Sequence, residues 1–380
     1  MTDEAPLRLA FLGDPNSVHT RRWIAWFARA GHDVHLIDPF AADIGPGLPG
    51  GVVLERYEAH RRRLPLLSHL TARSDLRRIL ARLDTQVLHA HFVRRFGWQA
   101  ALSGFHPLVV SPWGSDILRA PGRAVRTRAW NRFALRSADV VTVSSEGMRQ
   151  AAVRAGASAD RMTLISHGVD TDLFSPGPHD DDLARQIGVG GAPIIVSPRS
   201  IRALYRQEVV VDAVAAISTP DRRPLLVMSA RGADADELRA IRARAAAGGI
   251  ADQLRILDDV PHERLPALFR LADVVVSVPE TDSFSVTMLE AMACGAPVVA
   301  SDLPAVTPVL GPLDPVVPQL IAPVGDARAT AAAIDRALRL DPAERARLAD
   351  RLRSFVRETA DYDTSMATME GIYYRLAAGR

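Results

Sequence analysis

Short apolar runs recur along the chain, each followed by a polar or glycine-bearing loop and then by apolar residues at helical spacing, and this alternation constrains the fold more than any other feature. The first run, 7–12, ends in Gly13-Asp14-Pro15-Asn16, and residues 18–30 carry a helical pattern up to Gly31. Strand signals follow at 33–37, 87–90, 108–111 and 140–143. A second series opens at Ile194-Ile195-Val196 and continues at 225–228, 254–257, 274–278 and 297–300. Strands alternating with helices predict parallel sheets covered by helices, and such sheets bind ligands outside the carboxyl ends of their strands.

Between the two series, 175–193 turns to Pro, Gly and Asp, with Ser175-Pro176-Gly177-Pro178 and the stretch 188–191 as punctuation. A chain of 380 residues exceeds one ordinary core. The expected organisation is an amino-terminal Rossmann-like domain over 1–176, a linker over 177–192 and a second Rossmann-like domain over 193–358. A final helix over 359–380, bearing Tyr362, Tyr373 and Tyr374, is expected to pack back on the first domain.

Composition narrows the function classes. Hydrophobic residues at 48% against charged residues at 24% describe a folded chain rather than a disordered one. The sequence holds no lysine, so its 46 cations are all arginines, always charged and suited to gripping phosphate with a planar fork. A net charge of +2 is too small to argue for nucleic acid, although it is compatible with a phosphorylated substrate or an acidic membrane surface. Cys294 stands alone, which excludes an intrachain disulfide framework and a cysteine-rich zinc site. No stretch of about 18 uncharged apolar residues is present, so the expectation is a cytoplasmic protein. Arg61-Arg62-Arg63, followed by Leu64, Leu66 and Leu67, is either a solvated helix end or a peripheral contact with the inner face of a membrane.

The most informative stretch runs from Pro279 to Pro297 and reads as a buried strand's polar loop passing into a helix. Free amides at the start of that helix, around Ser283, Phe284, Ser285 and Val286, make a site for a phosphate or diphosphate, reinforced by the helix dipole. Glu290 is the lone charge in an apolar helix, and burying it unpaired would be costly. Either it faces a polar ligand such as a ribose diol, or it bonds a loop amide or an arginine.

Asp282, with seven residues between it and Glu290, completes a pattern that resembles the Glu-x7-Glu signature of the family 4 retaining glycosyltransferases, the glycosyl transferases group 1. Segments in that family's order support it: Phe11-Leu12-Gly13-Asp14-Pro15-Asn16, His89-Ala90-His91-Phe92 and Ser111-Pro112-Trp113-Gly114-Ser115-Asp116, then the run from His167 to Phe174 and that from Ser197 to Arg202. The resemblance implies the GT-B fold, two Rossmann-like parallel-sheet domains facing an interdomain cleft. It also implies a nucleotide-diphosphate sugar as donor, no metal and no further cofactor.

By that resemblance Glu290 would hold the donor ribose, and Ser283 to Val286 would receive diphosphate and sugar. Arg199 would neutralise the diphosphate as the leaving group gains charge. Asp282 stands where the family has Glu, so its shorter arm changes the sugar contact, and Glu280 is the alternative. The family's lysine after Arg199 is missing, Leu204 and Tyr205 occupying its place. Arg202 is the preferred second cation, and Arg206 the alternative. His91, with His89 as its rival, would stand near the reacting sugar, and Gly13 would let backbone approach the donor. Asn16, Trp113 and Asp116 either line the acceptor cleft or shape their loops.

Asp170-Thr171-Asp172 and Asp234-Ala235-Asp236 imitate metal-binding aspartate pairs, but are read as a boundary segment and a helix start. The Gly13–Asn16 loop lacks both a Walker lysine and a dinucleotide fingerprint. Rival functions are a nucleotide-sugar epimerase of the same fold and a nucleotide-sugar-binding protein with weakened catalysis.

Overall fold

The computed structural model describes residues 4–40, 47–57, 65–119, 124–258 and 260–379, with backbone alone for 65–71. Arg61-Arg62-Arg63 and Leu64 lie outside the described residues, as do the side chains of Leu66 and Leu67. The chain forms two compact units, one of Met1–His167 with Asp363–Arg380, the other of Gly168–Tyr362.

The first unit carries seven parallel strands: β1 (Arg8–Leu12), β2 (Asp33–Asp38), β3 (Val52–Arg56), β4 (Val87–His91), β5 (Leu108–Ser111), β6 (Val140–Val143) and β7 (Met162–Leu164). Their order is β3-β2-β1-β4-β5-β6-β7. Order reverses between β1 and β4, where register pairs Phe11 with His89 and Leu12 with Ala90. The loops after these two strands therefore flank a switch point, the place where α/β sheets bind ligands. β4 and β5 are buried at every position, as strands covered on both faces must be.

The second unit carries β8 (Ile194–Ser200), β9 (Leu225–Ser229), β10 (Leu254–Leu257), β11 (Val274–Ser277), β12 (Val298–Ser301) and β13 (Ile321–Ala322), ordered β10-β9-β8-β11-β12-β13. Here the reversal falls between β8 and β11, which pair in parallel at Ile195 and Val274.

The domain boundaries differ from those expected. Val169 and Phe174 are fully buried in the second unit's core, and the Val169 amide donates to the Ala360 carbonyl at 2.7 Å, so that unit begins at Gly168. The expected linker is structured: Asp180 caps a helix over Asp181–Ile187, Gly188 closes it at φ +80°, and Leu183 and Ile187 are buried. The carboxy-terminal helix Tyr362–Ala378 belongs to the first unit from Asp363 onward. Asp363 accepts from Trp26 Nε1 at 2.7 Å, and Glu370 lies 2.9 Å from His32 Nε2.

Among the described residues, no helix is long and apolar enough to cross a membrane.

Candidate active site

In the second unit, Arg199 stands next to the end of β8 and the loop after β11 leads into the helix Val286–Ala293, so the switch point brings them together. Arg199 Nη2 lies 3.0 Å from Asp282 Oδ2, an ion pair without hydrogen-bond alignment, and Nη1 donates to Ser285 Oγ. The ring of Tyr205, one of the two residues at the place of the expected lysine, lies 4.2 Å from the Arg199 guanidinium carbon, a cation–π contact. Gln207 braces the strand end, donating to the Arg199 carbonyl at 2.8 Å and accepting from Ser197 Oγ at 2.6 Å.

Ser285 is the N-cap of the helix and accepts from the Met288 amide at 3.3 Å. Asp282 accepts from the Ser283 amide at 2.8 Å. The phenyl ring of Phe284 turns away from this loop into the core, 6.3 Å from Phe355, so Phe284 has only its backbone to offer a ligand. Val286 opens the helix beside it.

Glu290 is 3% exposed, and its partner is one that sequence reasoning missed: His262 Nε2 lies 2.8 Å from Oε1. His262 begins a short turn after β10, and its ring meets Phe174 edge-on at 5.1 Å. The partner is neither a loop amide nor an arginine. The one sequence signal was the buried carboxylate itself, which demands a donor.

The preferred second cation is displaced. Arg202 Nε donates to the Gly232 carbonyl at 2.6 Å, which ties it to the loop after β9. Arg206 lies 3.5 Å from Glu280 and 3.6 Å from Glu208, and so joins the segment that carries Asp282. Arg206 has φ +50°, a left-handed turn that redirects the chain into the next helix.

The aspartate pairs serve the backbone. Asp170 Oδ1 accepts from the Asp172 and Leu173 amides, and Asp234 Oδ1 accepts from those of Asp236 and Glu237. Among the described residues, no group of three or more His, Cys, Asp or Glu is placed to hold a metal ion. Burial pushes the Cys294 thiol up to about 12, which leaves it unreactive.

In the first unit, the two candidate histidines separate. His89 has both nitrogens engaged, Nδ1 with the Tyr373 hydroxyl at 2.5 Å and Nε2 with Ser111 Oγ at 2.6 Å, and burial lowers its pKa to about 3. His91 shares one long contact, Nδ1 to Thr20 Oγ1 at 3.4 Å, and its buried Nε2 has no partner among the described residues. Burial, then His89 and His19, keep His91 well below the ordinary histidine range, so it is a neutral imidazole with a nitrogen to spare.

Three neighbours share that condition: Trp23 Nε1, Trp113 Nε1 and His167 Nδ1 are also buried and unpartnered among the described residues. The His91 ring lies 4.7 Å from Trp113 and 5.3 Å from Trp23, and Trp113 lies 5.5 Å from His167. Buried polar atoms are almost always satisfied, so four on adjoining rings mark a place built for a polar, uncharged group.

The remaining candidates shape their loops. A Cβ on Gly13 would meet Thr20 Cγ2 at 3.0 Å and His91 Cβ at 3.6 Å, so a side chain there would have to displace Thr20 slightly. Asn16 is exposed in a turn where its amide donates to Asp14 Oδ1 at 2.9 Å. Asp116 is buried, and its carboxylate accepts from the amides of Val93, Trp113 and Gly114, clasping the loops after β4 and β5. Burial outweighs those bonds and raises its pKa to about 6.

Two family profiles match the chain, "Glycosyl transferase 4-like" over residues 8–145 and "Glycosyl transferases group 1" over 180–355. The D-inositol 3-phosphate glycosyltransferase of Jonesia denitrificans is 30% identical over 243 residues, 58% of this chain and 56% of that protein. The lipopolysaccharide core biosynthesis mannosyltransferase LpsB of Rhizobium meliloti is 29% identical over 50% of this chain and 54% of its own length. The chain thus spans about half the length of the curated relatives it matches. Among solved structures, sucrose-phosphate synthase from Thermosynechococcus elongatus superposes with a TM-score of 0.82 at 21% identity, over 98% of this chain and 99% of that one. Anabaena HepE in complex with UDP-glucose does so at 0.77 and 18%, over 97% and 99%. With one profile on each unit and this architecture throughout, the chain belongs to the group 1 glycosyltransferases and has the GT-B fold.

Proposed function

We propose that the protein transfers a sugar from a nucleotide-diphosphate sugar to an acceptor hydroxyl, with retention of configuration and without a metal or other cofactor. The observation that carries this reading is the convergence of Arg199, the Ser285-capped helix and buried Glu290 at one switch point. A diphosphate satisfies a guanidinium and free helix amides together, and a ribose diol satisfies a carboxylate held by His262. Departure of the diphosphate leaves charge that Arg199 and the amides stabilise, with Arg206 as the nearby second cation. In the first unit the uncharged Nε2 of His91 is suited to hydrogen-bond a sugar hydroxyl or to help a proton leave.

A second reading, donor binding with little turnover, is favoured by the pairing of Arg199 with Asp282 and Ser285, from which a diphosphate must win the guanidinium. The test is incubation with a panel of nucleotide sugars, with and without EDTA, following binding by thermal shift and the anomeric configuration of products by NMR. Stabilisation by one donor, with slow release of its sugar in EDTA, supports transfer. Tight binding with no release supports the second reading, and no response to any nucleotide overturns both.

A further inference from the structure

The helix Val125–Ser137 presents two unlike faces. Its inner face is anchored: Ala134 and Leu135 are buried, and Asn131 accepts from Trp98 Nε1 at 2.9 Å while donating to the Asp116 carbonyl at 3.0 Å. On the outer face Val125, Ala129 and Phe133 recur every four residues as one stripe, with Val125 71% and Phe133 41% exposed. Leu102, Trp130 and Arg126 join Ala129 and Phe133 around a shallow apolar hollow of about 340 Å³.

The charge around this stripe has one sign. Helical spacing sets Arg126 along one side of it, Arg128 and Arg132 along the other, and Arg136 at its far end. Between Phe92 and Ala138 the sequence holds eight arginines and a single acid, Asp116, which is buried. Exposed apolar side chains ringed by cations with no exposed acid among them match an anionic lipid surface. The apolar groups enter the boundary of the acyl region, and the guanidiniums reach phosphates on every side. A discrete acidic protein would engage one side of such a ring, whereas a bilayer engages all of it.

We propose that the outer face of Val125–Ser137 docks the protein on membranes rich in anionic phospholipid. This surface is independent of the reaction the enzyme performs. The experiment is flotation of the full chain with vesicles of phosphatidylcholine alone or mixed with phosphatidylglycerol. Binding to the anionic vesicles is expected to be at least tenfold tighter than to neutral ones and to weaken between 0.1 and 0.5 M salt, as about a twofold shorter screening length requires.

Two variants test the face, Val125→Ser with Phe133→Ser, and Arg126→Gln with Arg132→Gln and Arg136→Gln. Each is expected to weaken anionic binding about tenfold while melting as the unaltered protein does. A control with the same charge loss, Arg242→Gln with Arg328→Gln and Arg351→Gln, is expected to retain it. Absence of binding to anionic vesicles, equal loss in the control, or unchanged binding in both face variants overturns the proposal. A dimer in solution that dissociates on Phe133→Ser overturns it too, assigning the face to a second copy of the chain.

Discussion

Glu290 and His262 hold each other across a helix and a turn, so the two are expected to fail differently. Glu290→Ala removes the proposed ribose contact, and a charged hydrogen bond is worth about 1.5–3 kcal/mol. Nucleotide-sugar affinity is therefore expected to drop roughly 10- to 150-fold by calorimetry, and unchanged affinity would remove Glu290 from the donor site. His262→Ala leaves the carboxylate buried without its donor, at a stability cost of about 1–3 kcal/mol. Chemical denaturation should register that loss and show partial recovery in His262→Gln. The two strand-end histidines part in the same way. His91→Asn is expected to lower kcat by about 10²-fold or more with little change in melting temperature. His89→Asn should instead lower the melting temperature, because Tyr373 and Ser111 lose their shared partner. Equal effects on both quantities would contradict the separation. Glu290 was legible in the sequence because a solitary acid in an apolar helix violates the usual pattern. His262 was not, since it lies 28 residues away and meets Glu290 only through the return of the chain after β10.

At the scale of elements, legibility followed burial. β5, β11 and β12 are buried throughout, and their apolar runs announced them. β3 and β13 are edge strands, the first half-exposed along its length and the second only two residues long, and neither was singled out in the sequence. The Pro, Gly and Asp cluster at 175–193 was read as a linker because those residues break structure, yet Asp180 and Gly188 begin and end a helix. The same kind of local geometry decides between the arginines. The left-handed turn at Arg206 brings its side chain to Glu280, and no periodicity encodes that turn. Arg206→Gln is accordingly expected to weaken nucleoside diphosphate binding about tenfold by calorimetry, and Arg202→Gln to leave it within twofold, as one charge-assisted hydrogen bond gained or lost implies. The reverse result would restore Arg202 as the second cation.

Across the whole molecule, acid should strain the two units unequally. His89, His91 and His167 are all held neutral by burial, so their contribution is complete above the ordinary histidine pKa and shrinks as pH falls below it. For His89, with a folded pKa of about 3, the loss reaches about 2 kcal/mol at pH 5. Asp116 acts in the opposite sense. Its raised pKa of about 6 means that its contribution is largest in acid and is lost as pH rises, returning about 1 kcal/mol between pH 7 and 5. The histidines prevail, and the first unit should melt lower at pH 5 than at pH 7. All five tryptophans, Trp23, Trp26, Trp98, Trp113 and Trp130, lie in that unit, so intrinsic fluorescence isolates its transition from the circular dichroism of both. A fluorescence midpoint that holds steady or rises in acid would contradict this assignment.

The return of the carboxy-terminal helix also sets a timetable. The first unit needs Asp363–Arg380, which includes the Tyr373 hydroxyl that engages His89, whereas the second is one uninterrupted stretch. A ribosome therefore begins the first unit before the second and completes it after. The second unit can reach its folded state while the first still lacks the helix that covers Phe27 and His89. Through the synthesis of almost two hundred intervening residues, the nascent first sheet has to wait for its last piece, and that interval is when it is most open to a chaperone or to a neighbouring chain.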